Sequence, residues 1–319
     1  MEKNKTAALI YREKGHFGHI DHLAPFCSLH KIPLFLTSKT LYKITNEQYK
    51  DVDLYLCPPN EVSFQILKDY DYLVSTLPRQ LINPIFLFDE MMMKKRIKSY
   101  FLPHGSSDKD NMGKLLQEDK IFVYGSRMLD LLPKKVHKKT IKTGNFRLKY
   151  YQLHKKFYDD LVKSFFPQID KTENILYAPS WDNDDVQKWT TALIKHKPEN
   201  ITLYIKLHPN TCKEGIGMAL PEAFGGYKDV VFINNYFPIY SLLPYMNSLF
   251  MDISSIGYDF LEFNKPILFT VKKDELLHKC GIHIDINNPY KDLNKDLHEK
   301  ERLLLRDKTF QSNAILKEV

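Results

Sequence analysis

Along the chain, short apolar runs rich in β-branched and aromatic residues recur, and between them lie longer stretches whose apolar residues repeat at helical spacing. βαβ units around a mostly parallel sheet require this alternation, because each strand is buried on both faces and each helix on one. The first series of runs predicts strands at Ala7 to Tyr11, Pro33 to Thr37, Leu54 to Cys57, Tyr72 to Ser75, Ser99 to Leu102, Ile121 to Tyr124 and Thr140 to Thr143. An amphipathic segment, Leu148 to Phe165, and a polar stretch around Pro167 to Glu173 precede a second series. That series predicts strands at Ile175 to Ala178, Thr202 to Leu207, Val230 to Ile233, Leu249 to Asp252 and Pro266 to Val271. The expectation is an α/β chain of two Rossmann-like doubly wound domains, residues 1–166 and 172–295. Leu297 to Leu305 then reads as a charged terminal helix, within residues 296–319, packing back near the interdomain linker.

Composition narrows the class. At 319 residues and 43% hydrophobic the chain is long enough for two domains of ~100 to 200 residues each, and 12 Gly with 17 Pro exclude a low-complexity or collagen-like chain. The apolar run after the first five residues is broken by Arg12, too soon for a signal peptide, and no stretch reaches the ~18 apolar residues of a membrane span. Four cysteines with no C-x-x-C pair favour neither a zinc site nor a disulfide framework, so a cytoplasmic setting is expected. The net charge of +7 points to an anionic partner such as a phosphate, a nucleotide or an acidic lipid surface. The basic runs Lys134-Lys135 and Lys138-Lys139, beside Leu131 and Leu132, read either as a solvated loop or as a peripheral contact with an anionic membrane on its inner face. No nucleic-acid partner is expected.

Candidate chemistry lies where polar residues follow strands, because ligands of open α/β sheets bind beyond the carboxyl ends. The loop Gly15-His16-Phe17-Gly18-His19-Ile20-Asp21-His22 follows the first strand; its glycines and helix start suit an anion, or equally a plain turn. Its histidines lack a carboxylate in register, so no metal is expected. His104, in Leu102-Pro103-His104-Gly105-Ser106-Ser107-Asp108-Lys109, is either a proton acceptor at a strand mouth or a loop histidine with one backbone partner. Lys206 and His208 share a strand face by the period-two rule, and so can point together at one phosphate; the alternative is a capped edge strand, ended by Pro209, with a solvated lysine. Ser254 and Ser255 follow the strand that closes at Asp252 and precede a helical pattern through Asp259, Phe260 and Phe263, as a phosphate cradle or as caps.

Six segments in order resemble the CDP-glycerol glycerophosphotransferase family, which primes and polymerises wall teichoic acid. They are His104-Gly105-Ser106 (family H-G-T), Gly144 to Arg147 (G-x-P-R), Ile175 to Trp181 (I-L-Y-A-P-T-W), Leu207-His208-Pro209, Asp252 to Phe260 (D-Y-S-S to F-D-F) and Lys265-Pro266-Ile267. The resemblance, over roughly residues 98 to 271, implies a GT-B type fold with the domains facing a cleft, nucleotide in the carboxyl-terminal one and acceptor on the amino-terminal one. It implies catalytic roles for His104, as base on the acceptor hydroxyl, and for His208, as donor to the diphosphate. Ser254, Ser255, Lys206 and His208 would bind the donor phosphates. Asp252, Asp259 and Arg147 would hold the nucleotide or shape the site, and Gly15, His16, Gly18, His19, Ser106 and Lys109 would form the acceptor-side loop. The implied reaction moves glycerol phosphate, or a related polyol phosphate, from a CDP-activated donor to a hydroxyl acceptor, lipid-linked or saccharide, and releases CMP. No cofactor is implied. Ser107 and Asp108 replace the family's proline and leucine, Phe146 its proline, and Asp182 the arginine after Trp181, all around acceptor and transferred group. A GT-B glycosyltransferase or epimerase using a sugar nucleotide, and a degenerate nucleotide-binding accessory protein, are the alternative readings.

Overall fold

Strand formation follows the apolar runs closely. In the computed structural model, which describes residues 5–11, 17–106, 112–180, 185–208, 211, 215–273 and 275–311, the first sheet is built from β1 (Thr6–Ile10), β2 (Leu34–Leu36), β3 (Leu54–Leu56), β4 (Tyr72–Ser75), β5 (Lys98–Phe101), β6 (Lys120–Val123) and β7 (Thr140–Lys142). All neighbours are parallel, in the order β3-β2-β1-β4-β5-β6-β7. The helices of this part are α1 (Phe17–His30), α2 (Lys39–Gln48), α3 (Val62–Asp69), α4 (Arg79–Met93), α5 (Ser126–Leu131) and α6 (Phe146–Leu153). Ala7, Leu9, Phe35 and Leu73 of the sheet pack with Val62 and Ile66 of α3 and Ile82 and Phe86 of α4 in one buried cluster. Burial on both faces explains why these strands read as unbroken apolar runs instead of alternating ones.

The second sheet contains β8 (Glu173–Tyr177), β9 (Ile201–Ile205), β10 (Val230–Phe232), β11 (Ser248–Met251), β12 (Ile267–Phe269) and β13 (Ile282–His283). Its order, β10-β9-β8-β11-β12-β13, is again parallel throughout and is the Rossmann order with β8 as the first strand. Its helices are α7 (Lys155–Phe165), α8 (Val186–Lys195), α9 (Gly215–Phe224), α10 (Ile239–Leu242), α11 (Ile256–Phe260) and α12 (Glu299–Thr309). Ile175, Leu203, Phe250 and Leu268 of the sheet bury Trp189 and Leu193 of α8.

The chain divides into two compact units, the described residues up to His154 with those from Lys308 onward, and Lys155 to Asp307. Lys155 to Phe165 therefore belong to the second unit, ahead of the boundary expected at Phe166. The single amphipathic segment expected over Leu148 to Phe165 is two helices, because α6 closes at His154, whose N–H reaches Tyr150 and Tyr151 carbonyls. α12 starts in the second unit, where the Arg302 guanidinium, 1% exposed, bonds to Asn264 and Asp296. Its last residues lie in the first, on Gly125: a Cβ there would stand 2.5 Å from the Thr309 carbonyl oxygen, which leaves room for glycine alone. The Ser126 hydroxyl donates to the Lys308 carbonyl beside it. Each unit is thus a Rossmann-like doubly wound domain.

Candidate active site

In the first sheet the order reverses between β1 and β4, the switch point at which ligands of such sheets bind. Side chains from four strand ends meet there. The His19 ring, on the first turn of α1, stacks on the His104 ring of the loop after β5, with centroids 4.7 Å apart and planes within 13°. His19 Nδ1 is 2.5 Å from Oγ1 of Thr76, the residue that follows β4. Two of the separately expected elements, the Gly15 to His22 loop and the His104 loop, therefore converge.

Beneath the stacked pair lies a buried layer. His22 Nδ1 is 2.8 Å from the Tyr124 hydroxyl, and that hydroxyl donates to the Pro103 carbonyl at 3.1 Å. A phenol has one hydrogen, so His22 must supply the other and is the Nδ1–H tautomer. Burial first, then the Arg147 guanidinium and the nearness of the His104 and His19 rings, hold the His22 pKa well below its ordinary value, and the ring stays neutral. Gly105 adopts φ 124°, a conformation that favours glycine, and Ser106, 2% exposed, accepts from Arg127 Nη1 at 2.8 Å. His104 is thus the exposed member of a loop pinned on both sides, which suits proton acceptance from a bound hydroxyl.

Ser106 consequently faces inward within the loop expected on the acceptor side. Arg147 also turns inside: its Nη2 meets Asp21 Oδ2 at 2.5 Å, both residues are buried, and Tyr49 donates to the other carboxylate oxygen at 2.8 Å. It ties α6 to α1 in the first unit. Gly18 lies in the first turn of α1. Gly15, His16, Ser107, Asp108, Lys109, Trp181, Asp182 and Pro209 lie outside the described residues.

In the second sheet the order reverses between β8 and β11. Asp252, after β11 and 1% exposed, accepts from Ser180 N at 2.9 and 3.0 Å, from Ser180 Oγ at 2.9 Å and from Ile253 N at 2.5 Å. Its carboxylate is a strut that fixes the loop after β8 against the loop after β11. The buried Tyr177 hydroxyl, whose pKa burial and then Asp252 raise well above the ordinary value, lies under the same strut.

Ser254 and Ser255 are half-buried on the loop that the strut holds. Ser255 stands at the N-cap position of α11, yet its dihedrals are already helical (φ −62°, ψ −19°) and its side chain makes no capping bond. Its carbonyl and that of Ser254 accept from Tyr258 and Gly257. Gly257 allows α11 to lie on the end of β11, since a Cβ would come within 2.5 Å of Met251 Sδ. The Asp259 side chain is buried behind them. β9 ends at Ile205 instead of Leu207, so the period-two argument for a common face of Lys206 and His208 does not hold. Both residues are half-buried on the loop beyond β9, and the Lys206 N–H donates to the Tyr177 carbonyl at 2.9 Å. They occupy the same carboxyl edge as Asp252 and the serines, because β9 and β11 both flank β8.

Thr76, His22, Tyr124, Arg127, Asp21 and Ser180 complete these sites without having been singled out as site residues. The strand-end rule could have found Thr76 and Tyr124, each the first residue beyond a strand. Among the described residues no group of three or more His, Cys, Asp or Glu side chains is arranged to hold a metal ion, and no helix is long and apolar enough to cross a membrane.

Residues 134–288 match the family model for CDP-Glycerol:Poly(glycerophosphate) glycerophosphotransferase. Over that stretch, just under half of the chain, the sequence is similar to this family. A teichoic acid glycerol-phosphate primase of Bacillus subtilis (strain 168) is 31% identical over 125 residues, which cover 38% of this chain and 30% of the primase, so the match spans under a third of that relative. A solved wall teichoic acid polymerase superposes with a TM-score of 0.67 at 12% identity, over 98% of this chain and 85% of that one. A UDP-GlcNAc 2-epimerase from Neisseria meningitidis, bound to UDP-GlcNAc, gives 0.58 at 13%, over 93% and 94%. These likenesses place the fold in the GT-B type. The family match takes in His208, Ser254, Ser255 and Arg147 and begins after His104.

Proposed function

We propose that this chain transfers glycerol phosphate, or a related polyol phosphate, from a CDP-activated donor to a hydroxyl acceptor in the synthesis of a cell-envelope or surface polymer. The acceptor oxygen attacks the β-phosphorus, the bond from that phosphorus to the bridging oxygen breaks, and a phosphodiester and CMP result. The acceptor's proton passes to His104. Ser254, Ser255, Lys206 and His208 hold the diphosphate and offset the charge that grows on the leaving phosphate, while Asp252 and Asp259 keep their loop in place. Little covalent chemistry is asked of the protein, so positioning and fixed donors carry most of the rate.

The observation that carries this reading is the glycerophosphotransferase family match over residues 134–288, which includes His208 and both serines at the carboxyl edge of the second sheet. The convergence of His19, Thr76 and His104 supports the acceptor side. A cytoplasmic location, with the acceptor lipid-linked or saccharide and the enzyme peripheral on an anionic membrane, belongs to the same proposal.

CMP release from CDP-glycerol in the presence of a polyol or saccharide acceptor tests it. Release that requires acceptor and fails in His104→Ala is the expected result. Turnover of UDP-GlcNAc with CDP-glycerol left intact would assign the chain to sugar-nucleotide chemistry instead.

A further inference from the structure

His104 sits between two anchored residues of its own loop. On one side the Pro103 carbonyl accepts from the Tyr124 hydroxyl at 3.1 Å, and on the other Ser106 accepts from Arg127 Nη1 at 2.8 Å. Both donors come from one short stretch, residues 124–127, where β6 gives way to α5. The Tyr124 hydroxyl takes its other bond from His22 Nδ1, which leaves its single hydrogen for the carbonyl. Whatever fixes residues 124–127 therefore fixes the imidazole between the two anchors.

Residues 308–311, the close of α12 and the two residues after it, lie on that stretch within the first unit. Gly125 is extended, with φ −172° and ψ −164°, so glycine is required there by space and not by conformation. A Cβ would stand 2.5 Å from the Thr309 carbonyl oxygen and 2.7 Å from both the Gln311 nitrogen and the Lys308 carbonyl oxygen. The Ser126 hydroxyl donates to the same Lys308 carbonyl at 3.2 Å. The Phe310 and Tyr124 rings meet nearly at right angles, with centroids 6.0 Å apart and planes at 83°. Phe146 stacks on Tyr124 as well, at 5.6 Å with planes within 9°. Two aromatic rings thus pack on Tyr124, in geometries that aromatic pairs favour, and leave it 2% exposed.

We infer that Phe310 is a positioning residue for His104: through the Tyr124 ring it sets where the Pro103 carbonyl, and with it the imidazole, is held. The inference deepens the transferase reading and rests on it for the reaction that His104 serves. A general base acts only within hydrogen-bond reach of the acceptor hydroxyl, and a displacement of about 1 Å can cost ~10²-fold in rate. A plain packing contact has a different consequence: its loss lowers stability and leaves each folded molecule fully active.

The test compares the full chain with Phe310→Ala, Phe310→Leu and Tyr124→Phe, the first also made in the His104→Ala background. At saturating CDP-glycerol and acceptor, CMP release should fall ~10- to 100-fold in Phe310→Ala and in Tyr124→Phe, with CDP-glycerol affinity unchanged. Phe310→Leu, which keeps apolar bulk against Tyr124, should recover most of the rate. In the His104→Ala background the Phe310→Ala change should cost nothing more, because a residue that acts through His104 has nothing left to act on. Should Phe310→Ala melt below the assay temperature, Phe310→Val takes its place. A full rate in the folded variant, or the same fractional loss with and without His104, overturns the inference and leaves Phe310 a packing contact. Nitrogen-15 spectra of the histidine rings give a readout that needs no turnover, the His104 signals being those absent from His104→Ala. They should move or broaden in Phe310→Ala and stay near wild type in Phe310→Leu; signals unmoved in Phe310→Ala also overturn the inference. Wild type that releases no CMP counts against the transferase reading, and the ring spectra still decide whether Phe310 holds His104.

Discussion

The carboxyl edge of the first sheet carries a stacked pair of imidazoles over a buried layer, while that of the second carries hydroxyls, peptide N–H groups, Lys206, His208 and a carboxylate consumed as a strut. Both edges lie at equivalent places in the topology, where strand order reverses between β1 and β4 and between β8 and β11. In the first, His104 is exposed above a layer in which His22, Tyr124, Ser106 and Arg127 are buried and bonded. In the second, Asp252 bonds to Ser180 and Ile253 and holds the loop on which Ser254 and Ser255 are half-buried. One arrangement suits moving a proton and the other suits holding an anion. The same fold can thus divide a transfer reaction by the chemistry of the residues that follow its strands.

The largest effect expected from disturbing this division is on turnover. His104→Ala should lower CMP release by ~10²- to 10⁴-fold, the usual contribution of a general base, with donor affinity nearly unchanged. Parallel kinetic and binding titrations check it; equal losses in both would mean that the first edge also holds the donor. Arg147→Ala comes next. Removing one partner of a buried pair leaves Asp21 uncompensated, and a loss of about 3 to 5 kcal/mol in urea unfolding is expected. A variant of native stability that binds donor weakly would move Arg147 to the nucleotide.

Much of this comparison was legible in the chain. Long apolar runs at Ala7 to Tyr11 or Leu249 to Asp252 lie within a residue or two of β1 and β11, because strands buried on both faces leave a continuous signal. The two-residue β13 left none, and the break between α6 and α7 at His154 is a capping event inside one amphipathic pattern. His104 and His19 were each identifiable as polar residues beyond strands. Their stacking was not, since 85 positions separate them and only the order of β1, β4 and β5 brings them together. The inward turn of Ser106 and Arg147 was equally hidden, because partners such as Arg127 and Asp21 are set by packing.

A smaller effect should follow from the strut. Asp252→Asn replaces one acceptor oxygen by a donor that faces the Ser180 N–H and hydroxyl, and a loss of about 1 to 3 kcal/mol is expected with weaker donor binding. Thermal melts with and without donor measure both; a stable variant with full donor affinity would show that the strut is dispensable. The smallest concerns pH. Burial holds the folded-state pKa of His22 below its ordinary value near ~6.5, so the unfolded chain takes up this proton first as pH falls. Stability from this residue is therefore complete above that value and lost on acidification, by at most about 1.4 kcal/mol per pH unit. His30 and His283, also lowered by burial, add to the same trend. Urea unfolding of wild type and His22→Gln, near neutral pH and again about one unit below ~6.5, isolates the share of His22. An identical slope in the two proteins would remove it from the account.

Isothermal titration of CDP-glycerol into wild type, His104→Ala and Ser254→Ala/Ser255→Ala tests the division of labour most directly. Wild type and His104→Ala should bind alike, and the serine variant should bind ~10-fold or more weakly, the loss expected for hydrogen bonds to a charged phosphate. Because Ser255 makes no capping bond, the serine variant should melt close to wild type. Full affinity in the serine variant, or a loss of binding in His104→Ala equal to or greater than that in the serine variant, would contradict the account and place the donor away from the second sheet.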